Sequence, residues 1–232
     1  MFYKVTYNKR FRRANVYNNR CNFRCKICSY KLMKLCDSSL KIGEIKNVLE
    51  ELTRKSLIER VHFLGGEPTI NPQLPELIEF SKELGLYTYL GHTNGSNIVD
   101  VDGANISIKA YTESVHIECT GVSNRQVLKN FVKAYDKGIK IKANSIFIPG
   151  CVDYKEIKEI AKFIADIDTN IPYHIVGYIP VPSAPWRKPT YEEVKKAAGI
   201  AKEYLKNVTF SCPDENFLHS KNDPRYKSVR IL

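Results

Sequence analysis

The chain has 232 residues, 43% hydrophobic and 26% charged, a length that buries one sizeable core and a composition that excludes disordered and fibrous classes. No apolar run approaches the roughly 18 residues of a membrane span, and Met1 to Arg13 alternates aromatic with basic residues and lacks the apolar stretch of a secretory leader, so neither a membrane protein nor a secreted one is expected. Seven cysteines, an odd number with no disulfide framework, point to a reducing compartment and a cytoplasmic location, and the net charge of +11 suits acidic or anionic partners.

In chain order, Phe2 to Tyr7 and Ala14 to Asn19 read as short strands, the second running directly into Cys21. Ile45, Val48, Leu49 and Leu52 recur at helical spacing within Ile42 to Leu57 and predict an amphipathic helix. Val61 to Leu64 is a strand ending at Gly65-Gly66-Glu67-Pro68. Leu74, Leu77, Ile78 and Leu84 predict a helix over Pro72 to Leu84, stopped by Gly85. Leu86 to Leu90 and Ala104 to Ile108 follow as strands, with Thr93-Asn94-Gly95 and Asp102-Gly103 as turn chemistry between them. A helix through Val127, Leu128, Phe131, Val132 and Tyr135 ends at Gly138, and Ile139 to Ile148 alternates as the next strand. The helix around Ile157 and Ile164 leads to a strand over Tyr173 to Ile179, a proline-rich connector to Pro189, and a last helix that Thr190 and Glu193 open as a capping box. Val208 to Ser211 is a short final strand, and residues 212–232 read as irregular surface or a lid.

About six strands, each followed by a helix or crossover, predict an α/β fold with parallel pairing and helices outside: a partial barrel or strongly curved open sheet. Sites in such folds lie at the carboxyl ends of the strands. Cys21 to Cys28, Gly65 to Pro68, Thr93 to Gly95 and Ser107 to Lys109 all fall there.

Cys21, Cys25 and Cys28 are spaced CxxxCxxC. A structural zinc site closes with four protein ligands, whereas three thiolates on a 4Fe-4S cluster leave one iron open to an exogenous ligand. A zinc site completed by Cys36 or a histidine is the competing reading of the same three residues. Cys36, Cys119, Cys151 and Cys212 lack the clustered spacing of a second iron-sulfur centre. Two glycines at a strand end let backbone approach a ligand closely, and the carboxylate of Glu67 can accept hydrogen bonds from a ligand ammonium. The basic run Lys9, Arg10, Arg12, Arg13, then Arg20, Arg24 and Lys26, lies beside the cysteines in sequence. No nucleic-acid-binding motif accompanies it, so nucleic acid is not an expected partner.

The cysteine loop together with the GGEP strand end resembles the radical S-adenosylmethionine (SAM) enzymes, over about residues 14–211. Ile106 to Lys109, Thr120 to Asn124 with Val127-Leu128, and Ile146 to Asp153 are similar to the motif series of the glycyl-radical-enzyme activating proteins, the group that includes the pyruvate formate-lyase activating enzyme. The resemblance implies a partial (β/α)6 barrel in one domain, 1–232, with a 4Fe-4S cluster on Cys21, Cys25 and Cys28 whose open iron binds SAM. It implies SAM contacts from Ile27, Gly65, Gly66, Glu67, Asn94, Ser107, Ile148 and His174, and a catalytic role for Lys109. Ile27 stands where an aromatic is usual, and His92 and Ser107 stand where activating enzymes carry carboxylates, so a cation site of that kind is not expected. One-electron cleavage of SAM would yield methionine and a 5′-deoxyadenosyl radical that abstracts hydrogen. The implied partners are an electron donor such as ferredoxin or flavodoxin, and either a glycyl radical enzyme or a small-molecule substrate. A noncatalytic iron-sulfur or zinc module would have no need of the glycine-rich strand end.

Overall fold

The structure is a computed structural model and describes residues 1–32, 39–212 and 228–232. Nine strands form one sheet: β1 (Phe2–Asn8), β2 (Arg13–Asn18), β3 (Arg60–Leu64), β4 (Tyr87–Thr93), β5 (Gly103–Ser107), β6 (Lys140–Phe147), β7 (Tyr173–Gly177), β8 (Val208–Ser211) and β9 (Val229–Arg230). The spatial order is β8-β7-β6-β5-β4-β3-β2-β1-β9. Neighbours from β2 to β8 pair in parallel, and β1 pairs antiparallel with β2 and β9. This is the singly wound, partly closed α/β barrel expected from the alternating pattern, with β9 added to the eight strands read from the sequence.

The crossovers are α1 (Ile42–Arg54), α2 (Leu74–Glu83), α3 (Glu113–Thr120), α4 (Arg125–Asp136), α5 (Tyr154–Ala165) and α6 (Tyr191–Lys202). Their apolar stripes cover the outer face of the sheet, where Val16, Phe63, Leu90, Ile106, Phe147 and Ile175 join one continuous core. Burial of these side chains, each worth about 1.5–3 kcal/mol, fixes strand register, because a one-residue slip would carry them to the opposite face. Thr190 and Glu193 form the predicted capping box on α6.

Four expectations change. Residues 113–120, assigned to no element in the sequence apart from the motif residue Thr120, are the helix α3. The strand expected to end at Leu90 continues to Thr93, and Gly103, read as a turn, begins β5. In the tail expected to be irregular, Val229 and Arg230 add a strand to β1; the remainder of the expected lid, 213–227, and Cys36 lie outside the described residues. The basic residues Lys9, Arg10, Arg12 and Arg13 sit at the β1–β2 hairpin, at the far end of β2 from Cys21, so only Arg20, Arg24 and Lys26 adjoin the cysteine loop.

Along β4 and β5, Leu90 pairs with Ala104 and Thr93 with Ile106. Three steps on β4 therefore oppose two on β5, a bulge that carries one unpaired residue. Its effect is to place both Gly91 and His92 on the inner face opposite Asn105, whose amide lies 3.3 Å from the His92 Nδ1.

Candidate cluster and cofactor site

The cysteine loop leaves β2 at Asn18, which is fully buried and joins four segments. Its Nδ2 donates to the carbonyls of Arg20 at 2.7 Å and Glu67 at 2.9 Å, while its Oδ1 accepts from the Met1 amino group at 3.0 Å and Asn71 Nδ2 at 3.1 Å. Gly65 and Gly66 take left-handed φ of 83° and 48°. A Cβ on Gly66 would stand 2.1 Å from the Arg20 carbonyl oxygen, and one on Gly65 2.6 Å from that of Asn18. The two glycines thus let the end of β3 press against the chain entering the cysteine loop, and Glu67 N donates to the Arg20 carbonyl at 2.7 Å.

Beyond that tie, the loop is held by α3. Arg24 N donates to the Thr120 carbonyl at 3.2 Å and Lys26 N to the Cys119 carbonyl at 2.8 Å, using acceptors that a helix C-terminus leaves unpaired. Gly121, with φ 81°, closes α3 in the left-handed cap that frees the chain to turn away. Phe23 meets the buried His116 ring edge to face at 6.1 Å. At the head of α3, Glu156 of α5 is buried and accepts from the Tyr111 and Thr112 amides at 2.7 and 3.0 Å.

Glu67 has no exposure, and its carboxylate accepts from Thr69 N, Thr69 Oγ1, Thr93 Oγ1 and Asn94 N. Burial pushes it above the usual carboxylate range while these donors pull it down. These donors make the carboxylate an anchor of the Thr93-Asn94-Gly95 turn. Asn94, thereby fixed, donates from Nδ2 to Asn22 Oδ1 at 2.9 Å and lies 3.8 Å from the Cys21 sulfur.

Among the described residues, no three His, Cys, Asp or Glu side chains stand close enough to form a ready metal site. The donor set nevertheless fits a thiophilic cluster in kind. Loss of solvation raises the Cys21 and Cys25 thiols, Cys25 to about 11, with smaller contributions from the neighbouring thiols, Cys28 included. Phe23 N donates to the Cys21 sulfur at 3.4 Å, and the Lys109 ammonium acts on Cys25 in the opposite, thiolate-favouring direction. Three soft sulfurs sharing one loop, with amide donors and a cation facing them, are the environment in which a metal replaces the thiol protons.

The remaining candidate residues divide between the inner face and the core. Ser107, Asn144, His174 and Thr209 stand in one cross-strand row. Ser107 Oγ donates to Asn144 Oδ1 at 3.1 Å, and His174 bridges Thr209 and Ser211 at 2.7 and 3.0 Å. Lys109 lies just past the end of β5, and its charge reaches Cys25, His92 and His116. Ile27 and Ile148 are core residues at 3% and 0% exposure, and the Ile148 amide and carbonyl are both used in the turn to Val152. Contact between that backbone and a ligand therefore requires a second bond at an engaged group. Spacing did not single out Asn18, Glu156 or the Cys119–Cys151 pair, whose sulfurs are 3.1 Å apart; these are contacts between segments far apart in sequence.

The lower part of the concave face holds a cavity of about 500 Å³, lined in part by Arg13, Arg60, His62, Tyr89, His92 and Lys142. His62 is held down to about 3 and His92 to about 4, first by burial, then by Arg13 and Arg60 for His62 and by Lys109 for His92.

Residues 15–164 match the Radical SAM superfamily model. Among curated proteins, the chain is 34% identical to "Putative glycyl-radical enzyme activating enzyme MJ1632" of Methanocaldococcus jannaschii, over 87% of this chain and 81% of the relative. Among solved structures, it superposes on Streptococcus suis SuiB bound to S-adenosylmethionine with a TM-score of 0.67 at 18% identity, over 84% of this chain and 48% of SuiB. It superposes on a domain of pyruvate-formate lyase-activating enzyme from Bacteroides vulgatus with a TM-score of 0.56 at 21% identity, over 66% of this chain and 98% of that domain. The chain thus spans about half of SuiB, and both superpositions bear on fold alone.

Proposed function

This chain belongs to the radical SAM superfamily, and from that premise we propose that it cleaves SAM reductively at a 4Fe-4S cluster on Cys21, Cys25 and Cys28 and abstracts hydrogen from a substrate on the concave face. The observation that carries the reading is the convergence of the α3-held cysteine loop, the Gly65-Gly66 strand end and the Asn94 turn at one rim, above a polar inner face. When bound, the cluster supplies the electron that splits SAM into methionine and a 5′-deoxyadenosyl radical.

In this reading the residues of the chain hold and orient. Gly65 and Gly66 set the distance between the strand end and the cysteine loop, and Glu67 fixes Asn94 beside Cys21. Ser107 and His174 meet the ribose and carboxylate of SAM by exchanging their bonds to Asn144 and to Thr209 or Ser211, with Ile27 and Ile148 as apolar and backbone walls. Lys109 brings positive charge to the rim, where it opposes protonation of Cys25 and can orient an anionic group. Exposed Arg20, Arg24 and Lys26 offer an acidic electron donor such as ferredoxin or flavodoxin a landing beside the cluster loop. We place all of this in one domain, 1–232.

The likeness to MJ1632 supports activation of a partner enzyme by formation of a glycyl radical. The cavity of about 500 Å³ on the inner face favours a second reading, radical modification of a small molecule, since its size suits a metabolite. The test is anaerobic reconstitution followed by reductant and SAM. Expected are bound iron and sulfide near four each per chain, 5′-deoxyadenosine as product, and loss of both in Cys25→Ser. A fully loaded protein that makes no 5′-deoxyadenosine overturns the proposal. With a glycyl radical enzyme present, an organic radical in the electron paramagnetic resonance spectrum selects the first substrate reading.

A further inference from the structure

We propose that the amino-terminal mouth of the concave face is a subsite for a multiply charged anion: the phosphate of a planar, phosphorylated metabolite whose body lies along the tyrosines toward the cysteine loop. The proposal rests on the small-molecule reading above and names the class of substrate.

Strand alternation dictates the composition of this face. Arg13 pairs across to Arg60 and Arg60 to Tyr87; one step up, Asn15, His62, Tyr89 and Gly103 stand side by side, with Lys140 paired to Gly103 and Lys142 to Asn105. Every ionisable side chain the inner face contributes to the cavity is basic or aromatic. Glu59, beside Arg60, and Asp102, near Tyr87, are otherwise engaged. Glu59 pairs with Arg12 at 2.7 Å, and Asp102 accepts from Thr88 N and Oγ1 at 2.7 and 2.6 Å. Among the described residues, Arg13, Arg60, Lys140 and Lys142 have no ion-pair partner, and the buried Nε of Arg13 has no hydrogen-bond partner.

What these cations touch instead is aromatic. Arg60 and Lys140 lie 5.8 and 5.9 Å from the Tyr87 ring centre, and Arg13 lies 5.0 Å from that of Phe11. A ring holds a cation at an exposed site far more weakly than a bidentate anion does. Several like charges gathered without an anion repel one another, and His62, held low first by burial, is pushed further in the same direction by Arg13, Arg60 and Lys142. A phosphate seated here relieves the repulsion and satisfies the Arg13 donor.

The aromatic part of the subsite is equally built. Tyr87 and Tyr89 stack at 6.4 Å, and Tyr89 meets His62 at 4.7 Å. A Cβ on Gly103 would fall 2.6 Å from the Tyr87 hydroxyl and 2.8 Å from the Tyr89 ring, so the glycine provides the room in which both rings lie across β5. From the mouth, β3 climbs about 16 Å over five residues to Gly65, past His62 and Leu64. A nucleotide-sized molecule with its phosphate at the mouth presents its other end toward the cysteine loop. A cationic mouth, a planar aromatic wall and a single direction of approach favour an aromatic phosphate over an acidic peptide.

The experiment is calorimetric titration of the anaerobically reconstituted protein, at constant ionic strength, with inorganic pyrophosphate, adenosine 5′-monophosphate, adenosine, and a penta-glutamate peptide. The phosphates are expected to bind, and adenosine to bind at least tenfold more weakly than its monophosphate. Arg60→Gln and Lys142→Gln, both exposed side chains, are each expected to weaken phosphate binding about tenfold, the loss of one charged contact. Binding of the monophosphate should also raise the His62 titration midpoint seen by nuclear magnetic resonance. Adenosine binding as tightly as its monophosphate, an unchanged affinity in both variants, or preference for the peptide overturns the proposal. Uncoupled 5′-deoxyadenosine formation is measured on the same preparations. If it fails while phosphates bind, the radical reading falls and the subsite stands; if it persists without phosphate binding, the reverse holds.

Discussion

Gly66 concentrates two constraints in one residue: φ of 48° and a carbonyl oxygen 2.1 Å from where a Cβ would lie. Left-handed backbone costs a residue with a side chain about 1–2 kcal/mol, and forced overpacking adds about 1–3 kcal/mol. Gly66→Ala is therefore expected to destabilise the fold by about 2–5 kcal/mol in urea denaturation and to lower the iron bound on reconstitution, because the carbonyl it displaces is that of Arg20, one residue before Cys21. Gly138, at the end of α4, isolates the first cost. Its φ is 75° with nothing within 4 Å of an added Cβ, so Gly138→Ala should cost about 1–2 kcal/mol and leave iron loading unchanged. Equal losses of iron in the two variants would show that the Gly66–Arg20 contact does not set the loop.

Helix α3 links this loop to the rest of the barrel, and its own placement depends on α5. Glu156 accepts the Tyr111 and Thr112 amides that open the turn into α3. Removing that acceptor leaves buried donors unpaired, each at about 1–3 kcal/mol. Glu156→Ala is expected to cost at least about 2 kcal/mol of stability in denaturant, and its reconstituted iron content should fall more than in the outer-core variant Ile164→Ala, which loses at least as much, about 2–5 kcal/mol, at a fully buried side chain. Comparable iron content in the two would mean that α3 does not position the cysteine loop. The helix was hidden in the sequence because its buried residues, His116, Cys119 and Thr120, make no apolar stripe, whereas α1, α4 and α5 bury periodic Ile, Leu, Val and Phe. The β4 bulge was hidden for a related reason: the extra residue exists only relative to β5, and Gly91-His92 carries no apolar side chain whose misplacement would mark the break in alternation. The rim motifs were legible because glycine and cysteine announce a geometry or a chemistry locally. Asn18 and Glu156 act across 49 and 45 positions of sequence, and nothing local marks them.

The whole molecule is a curved sheet with a hydrophobic outer face and a cationic inner one, and alternation in the strands determines both at once. The hydrophobic half was readable from periodicity. The cationic half was not, because lysines and arginines at strand starts look like ordinary solvated residues until the curvature turns them toward one another. Burial of two histidines on that face, reinforced by the converging cations, sets the acid response of the fold. His62 and His92 are held to about 3 and 4 in the folded chain, against about 6.5 when unfolded. Burial is the first cause in each case, reinforced by Arg13, Arg60 and Lys142 around His62 and by Lys109 and His174 around His92. Below pH 6.5 the unfolded chain takes up protons that the folded chain refuses. Stability therefore rises with pH in this window: the contribution is complete above about 6.5 and is lost as pH falls toward 4 and 3. Thermal unfolding at constant ionic strength should show a lower midpoint at pH 5.0 than at pH 7.5. Carboxylates also titrate near the lower limit, so the comparison with His62→Gln isolates the imidazole: the variant should lose less on acidification, and added pyrophosphate should reduce the loss in the parent chain by neutralising the mouth. Parallel profiles for parent and variant would show that burial and the surrounding cations do not hold His62 neutral in the folded chain.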